Sequence, residues 1–174
     1  MKRKVFSIRP LKLDLNEIKE SMRLAEKYFD TSNDAEQAPI NLENATWIRK
    51  TVPKCFNVIK YGDELIGFSL VYPCKREIMD KFVSKKINEA ELFGMLKESE
   101  LNRKPETIYF CSVFVKPEFR GRGLALKSLT KSIKSIFNLK SKPPLFYWAY
   151  SQEGDALSKK LATLLNLPLY KRKN

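Results

Sequence analysis

The segment Arg120-Gly121-Arg122-Gly123-Leu124-Ala125 holds two of the chain's six glycines together with two arginines, and Lys127 stands just beyond it. Glycine lets backbone approach a ligand with no Cβ in the way. The first turn of a helix presents unpaired N–H groups at the positive end of its dipole. Together these describe an anion site whose natural guest is a pyrophosphate, with the arginines and the lysine as counter-charge for several phosphates. The same glycines also fit a tight strand-to-helix connection with no ligand. No Gly-Lys-Ser/Thr follows, so the segment is not a P-loop, and the dinucleotide fingerprint Gly-x-Gly-x-x-Gly is absent. Its setting favours the anion site, because it leads from an apolar strand ending Val113-Phe114-Val115-Lys116-Pro117 into a helix with an apolar stripe.

The elements that would position this loop follow from periodicity. Thr107 to Val115 is nearly continuous apolar and β-prone, as a strand buried on both faces requires. The helix after it begins near Arg122 and carries Leu126, Leu129, Ile133 and Ile136 on one stripe, with Lys127, Lys131 and Lys134 away from it. Upstream, Lys4 to Arg9 alternates as a first strand. Asp14-Leu15-Asn16-Glu17 has the form of a capping box and opens a helix through Leu15, Ile18, Met22 and Ala25. A second helix runs over Leu42 to Lys50 behind Asn41 as N-cap. Phe56–Tyr61 and Leu65–Tyr72 flank Gly62-Asp63-Glu64 as a hairpin. From Arg76 to Glu100 the pattern is helical, with a second capping box at Asn88-Glu89-Ala90-Glu91. Downstream of Pro143-Pro144, Leu145 to Tyr150 reads as a strand, and Gly154 to Asn166 as a helix with Leu157, Leu161, Leu164 and Leu165 inward. Leu169 to Lys171 reads as a short last strand. The order β-α-α-β-β-(helical insert)-β-α-β-α-β describes one α/β domain of the α+β type over residues 1–174, with the insert at 76–100.

Composition narrows the chemistry further. With no histidine among 174 residues, Ser-His-Asp and Cys-His catalysis and His-ligated metal are excluded. Cys55, Cys74 and Cys111 are odd in number and lack metal-like spacing, which implies no metal and fits buried thiols in a reducing cytoplasm. The basic start Met1-Lys2-Arg3-Lys4 precedes only Val5-Phe6-Ser7-Ile8, too short for a secretion signal, and no stretch approaches the ~18 apolar residues of a membrane span. The net charge of +13 admits a polyanion or RNA partner, yet the lysines are spread along the chain as on solvated helix faces.

Here the sequence resembles the GNAT superfamily of acyl-CoA-dependent N-acyltransferases. The family's Arg/Gln-x-x-Gly-x-Gly/Ala motif is matched by Arg120, Gly123 and Ala125, with Gly121 and Arg122 between them, and Val115 to Phe119 matches its usual lead-in. The resemblance implies a mixed, mostly antiparallel sheet with helices on both faces, and acetyl-CoA as the acyl donor. It implies a coenzyme A pyrophosphate on the amides of Arg120, Gly121, Arg122, Gly123, Leu124 and Ala125, with the pantetheine arm along Val113, Phe114 and Val115. The implied reaction is direct transfer of an acetyl group to a primary amine in a ternary complex, with a central-strand N–H on the oxyanion.

Members often use a tyrosine of the last helix to protonate the leaving thiolate, and Ala162 stands at that position here. Tyr150 and Ser151 are the substitute hydroxyls, although they also read as a core-edge tyrosine and a helix cap. Glu106 is the candidate base through water, although it also reads as a surface glutamate. The insert at 76–100 is expected beside the acceptor cleft, where loops carry specificity. Two other readings remain: a basic polyanion or RNA-binding module on the same fold, and a coenzyme A binder without turnover. Monomer and homodimer are both compatible with the sequence.

Overall fold

The computed structural model describes residues 3–12, 14–38, 41–99 and 104–173. Six strands, β1 (Phe6–Pro10), β2 (Phe56–Tyr61), β3 (Glu64–Cys74), β4 (Thr107–Val115), β5 (Leu145–Tyr147) and β6 (Leu169–Lys171), lie side by side in chain order. From β1 to β4 the pairing is antiparallel, and β4–β5 and β5–β6 are parallel. The helices are α1 (Leu15–Phe29), α2 (Leu42–Thr51), α3 (Arg76–Val83), α4 (Glu89–Glu98), α5 (Leu124–Ile136) and α6 (Gln152–Leu165). Parallel neighbours need a crossover, and α5 and α6 supply the two.

Strand alternation sorts the helices onto two faces. Tyr109 packs with Phe82 of α3 and Leu92 and Leu96 of α4, whereas its neighbours Ile108 and Phe110 pack with Leu129 and Ile133 of α5. Helices α1 and α2 join the first face through Ile18, Leu24 and Ala45, which meet Val58 and Phe68. The mixed, mostly antiparallel sheet with helices on both faces is therefore the observed architecture.

The segment expected as an insert is half of a core layer. Phe82, Leu92 and Leu96 are all 0% exposed, and burying three such side chains contributes roughly 5–9 kcal/mol. Arg172, following β6, locks this layer from the far side. Its buried guanidinium donates to Phe82 O and Ile87 O at 2.6 Å each and lies over the rings of Phe82 and Trp148. The end of the insert at Glu100 falls outside the described residues, as do Met1 and Lys2 of the basic start.

Helix α5 is fixed to the sheet by buried polar contacts as well as by its apolar stripe. Asn57 Nδ2 donates to Ser132 Oγ at 2.8 Å and to Ser128 O at 3.2 Å, and Ser69 Oγ shares a 2.6 Å bond with Ser128 Oγ. Buried and satisfied, such a network holds one register.

Several local expectations are corrected. Asp14 caps α1 through Asn16 N at 2.9 Å, but Glu17 turns to the Arg9 guanidinium and to Lys12 N instead of closing a box, because a cation on β1 outcompetes the cap. The box at Asn88 and Glu91 is complete, both bonds measuring 2.8 Å. Leu164 of α6 is 58% exposed, since the buried stripe runs through Ser158, Leu161, Ala162 and Leu165. The strand expected over Leu145 to Tyr150 ends at Tyr147.

Candidate active site

That early end opens the sheet. β5 pairs with β4 only from Ile108 to Phe110, so from Cys111 onward one edge of β4 has no strand beside it among the described residues. On its other edge β4 bulges: Val71 pairs with Phe110 and Leu70 with Ser112, leaving Cys111 as the extra residue. One extra residue reverses the alternation of everything after it. Tyr109 and Phe114 therefore share the α1–α4 face despite opposite parity, while Val113 and Val115 turn toward α5 and its start.

The backbone beyond the bulge faces outward in a defined way. Lys116 N donates to Ile66 O of β3 at 2.8 Å. By alternation the N–H and C=O groups of Val113 and Val115 then point to the unpaired edge. Val115 O accepts there from Arg120 Nε at 2.8 Å.

Along this edge runs a cleft of about 600 Å³, walled on one side by Val113 to Val115 and on the other by Tyr150 to Leu157, with the Arg120–Ala125 loop between. All nine residues expected to contact coenzyme A, Val113 to Val115 and Arg120 to Ala125, line it. Gly121 and Gly123 have φ of +74° and +70°, the left-handed region open to glycine at little cost. A Cβ at either would meet no protein atom within 4 Å, so no internal contact demands glycine there and the space in front is open to a ligand. Gly123 caps α5 without a side chain, and the amides of Gly123, Leu124 and Ala125 donate to no protein group among the described residues. Arg120 corrects the expectation at one end, because its amide donates to Pro117 O at 3.2 Å and is not free for a phosphate. Its guanidinium stays in the cleft, with Arg122 and Lys160 as further cations and Glu153 opposing them.

The hydroxyl and carboxylate candidates separate. Ser151 is the N-cap of α6, its Oγ accepting from Gly154 N at 3.0 Å, which commits the hydroxyl to the helix even though it lines the cleft. Glu106 is placed elsewhere: its carboxylate accepts from Arg76 N at the start of α3, and it precedes the first residue of β4, at the end away from the unpaired edge. Six residues of strand put it about 20 Å from Ser112. Tyr150 lines the cleft half exposed, with its ring 4.5 Å from that of Trp148. Burial and the nearby Glu89 carboxylate push its phenol well above the usual range, so it stays a protonated donor. Ala162, where the resemblance implied a tyrosine acid, is buried in the core under α5 and off the cleft wall.

A second cavity, of about 90 Å³, lies on the α1–α4 face and was missed from sequence. Phe29 and Tyr150 line both spaces, so the two meet at Tyr150. The bulge residues Cys111 and Ser112 form part of its wall, and most of the rest is apolar, from Leu11, Ile18, Ala25, Ile48 and Phe68. The one acidic side chain among its described lining residues is Glu89, 6% exposed, which accepts from Tyr109 Oη at 2.5 Å, Ala38 N at 2.9 Å and Cys111 Sγ at 3.7 Å. Burial raises the Glu89 carboxyl above its ordinary value, and the three donors pull the other way without cancelling it. The legible signal was its phase: Glu89, Leu92, Phe93 and Leu96 share one helical stripe, so a first-turn glutamate stood among core positions. Burial also pushes the Cys111 thiol far up, leaving it inert as a nucleophile. Among the described residues no cluster of three or more acidic, cysteine or histidine side chains is placed to hold a metal.

The site thus joins a helix N-terminus with free amides, an unpaired strand edge and a separate apolar chamber that shares Tyr150 with the cleft. The sequence model described as the acetyltransferase (GNAT) family matches residues 18–149. The chain belongs to that family, whose members carry acyl groups from acetyl-CoA to amines. Among solved structures, a mosquito arylalkylamine N-acetyltransferase like 5b aligns at TM-score 0.53 and 15% identity, over 90% of this chain and 82% of that one. The diaminobutyrate acetyltransferase EctA from Paenibacillus lautus, in complex with its substrate and coenzyme A, aligns at TM-score 0.42 and 15% identity. That alignment covers 74% of this chain, which spans only 57% of the EctA chain. No curated protein matches the sequence significantly.

Proposed function

We propose that this protein is an N-acetyltransferase that moves the acetyl group of acetyl-CoA directly to a primary amine. The observation that carries the reading is the continuity of three features. These are the free amides of Gly123 to Ala125, the unpaired β4 edge at Val113 and Val115, and the second cavity reached at Tyr150.

Bound acetyl-CoA supplies the thioester carbonyl; everything else falls to the chain. The amides of Gly123 to Ala125, with Arg120 and Arg122, hold the diphosphate at the positive end of α5. The outward C=O of Val113 and N–H of Val115 take the amide-bearing arm as a neighbouring strand would be taken, and fix its depth. The Val113 N–H is the oxyanion donor, pre-aimed because the bulge is held on both sides by core contacts. Tyr150, kept protonated, hydrogen-bonds the departing sulfur and relays to it the proton that the acylated nitrogen sheds. The buried, raised Cys111 thiol is a poor nucleophile, which favours amine and thioester meeting in one ternary complex.

The test is calorimetry with acetyl-CoA followed by a thiol-release screen over amines. Expected results are binding in the micromolar range or tighter and thiol release dependent on amine. Absence of acetyl-CoA binding refutes the reading. Binding without release for any amine supports a coenzyme A binder that has lost turnover.

A further inference from the structure

We infer that the acceptor is a compact, mainly aliphatic primary amine, held in the second cavity with its ammonium on the Glu89 carboxylate. This rests on the transferase reading above and specifies its acceptor.

The size comes first. A cavity of about 90 Å³ compares with the 150 Å³ that accepts one benzene ring, so it holds about four non-hydrogen atoms without rearrangement. A peptide backbone, a polyamine chain or a nucleotide does not fit in such a space.

Charge comes second. Glu89 is surrounded by donors only, from Tyr109, Ala38 and Cys111, and that arrangement suits an ionised carboxylate. Yet none of the ion pairs among the described residues includes it. A carboxylate buried in an apolar wall without a cation is costly, and an alkylammonium is the cation that the wall can accept. A second carboxylate on the ligand would find no cation among the described lining residues, which disfavours amino acids.

A third, independent feature is Ser21 on α1. Its Oγ is buried, lines the same cavity and has no hydrogen-bond partner among the described residues. A native interior seldom leaves such a group unsatisfied unless something absent from the protein chain completes it.

Location makes the arrangement productive. Glu89 touches Cys111 of the bulge and acts electrostatically on Tyr150, so an ammonium there lies beside the point where cavity and cleft meet. The proton balance closes within these groups. One ammonium proton passes to Glu89 and frees the nitrogen lone pair. The new N–C bond then forms as the C–S bond breaks with its electron pair on sulfur. The second proton reaches the thiolate by way of Tyr150, and Glu89 returns its proton to solvent after the amide leaves.

The experiment uses the full chain with isobutylamine, leucine, spermidine and a lysine-containing peptide in the thiol-release assay. In parallel, isobutylammonium and its neutral isostere isobutanol are titrated by NMR against the coenzyme A complex. Isobutylamine should exceed each other acceptor at least about tenfold in kcat/KM, the worth of a well-fitted small pocket. In Glu89→Gln that value should fall at least about thirtyfold, as when one partner of a buried charge pair is removed, with coenzyme A affinity unchanged. The variant should also lose the preference for isobutylammonium over isobutanol, a readout that a merely structural glutamate would not move. Equal or better turnover of spermidine or the peptide, or an unchanged ammonium preference in Glu89→Gln, overturns the inference. Failure of the wild-type chain to bind coenzyme A in calorimetry without any amine overturns the transferase reading itself and is thereby told apart.

Discussion

Substituting Gly123 by valine separates the ligand role of the loop from its structural role. The residue has φ +70°, where a side chain with a Cβ costs about 1–2 kcal/mol, and somewhat more when β-branched. The added Cβ itself meets no described residue outside the adjoining chain within 4 Å, so it brings no packing clash of its own. For a chain of this length each kcal/mol lowers Tm by about 2–4 °C, so the variant should remain folded. Coenzyme A binding should respond far more strongly. Loss of two amide-to-phosphate bonds, each worth about 1.5–3 kcal/mol to a charged acceptor, removes roughly 3–6 kcal/mol. That is a rise in Kd of about a hundredfold to ten-thousandfold. Gly62 in the β2–β3 turn is the control, with φ +60°, a position away from the cleft lining and only the flexible Lys4 side chain close by, at 3.2 Å. Isothermal titration with coenzyme A and urea unfolding of Gly123→Val and Gly62→Val make the comparison. Similar stability losses with affinity lost only at Gly123 is the expected result. If Gly123→Val binds as the wild type does, or Gly62→Val weakens binding equally, the amide cradle is refuted.

Two further outcomes test the interior. The Glu89 carboxyl has its pKa raised in the folded state by burial, so between the unfolded and folded values the native chain binds more protons than the unfolded one. The stability contributed by the proton is complete below the unfolded value and lost as pH rises through the folded one. Glu89→Gln should therefore flatten the fall of Tm with rising pH above the ordinary carboxylate range; an identical pH profile would show that Glu89 titrates normally. Phe82 is 0% exposed and carries Arg172 on its ring, so Phe82→Ala should cost about 3–5 kcal/mol in urea unfolding, and a loss below about 1 kcal/mol would show that α3 and α4 are dispensable to the core.

The fold was legible because its signals are local. The nearly continuous apolar run of β4, the hairpin around Gly62 and the stripe on α5 each depend on residues within a turn or two of one another. The Arg120–Ala125 loop was legible for the same reason, since left-handed glycines and a helix start are short-range chemistry. Ser151 and Glu106 show the limit. Both are polar residues at element ends, where capping competes with catalysis, and the sequence does not say which neighbour takes the hydroxyl or carboxylate.

What the amino-acid order settled alone was the sequence of elements, the exclusion of histidine chemistry and the position of the glycine loop that opens α5. Only the tertiary structure decided that β5 stops pairing at Tyr147, that an extra residue at Cys111 turns the strand over, and that Glu89 sits in an apolar wall. Each of these is set by the meeting of segments distant in sequence. Pairing register and burial are free energies of contact between such segments, and no window along one of them contains both partners.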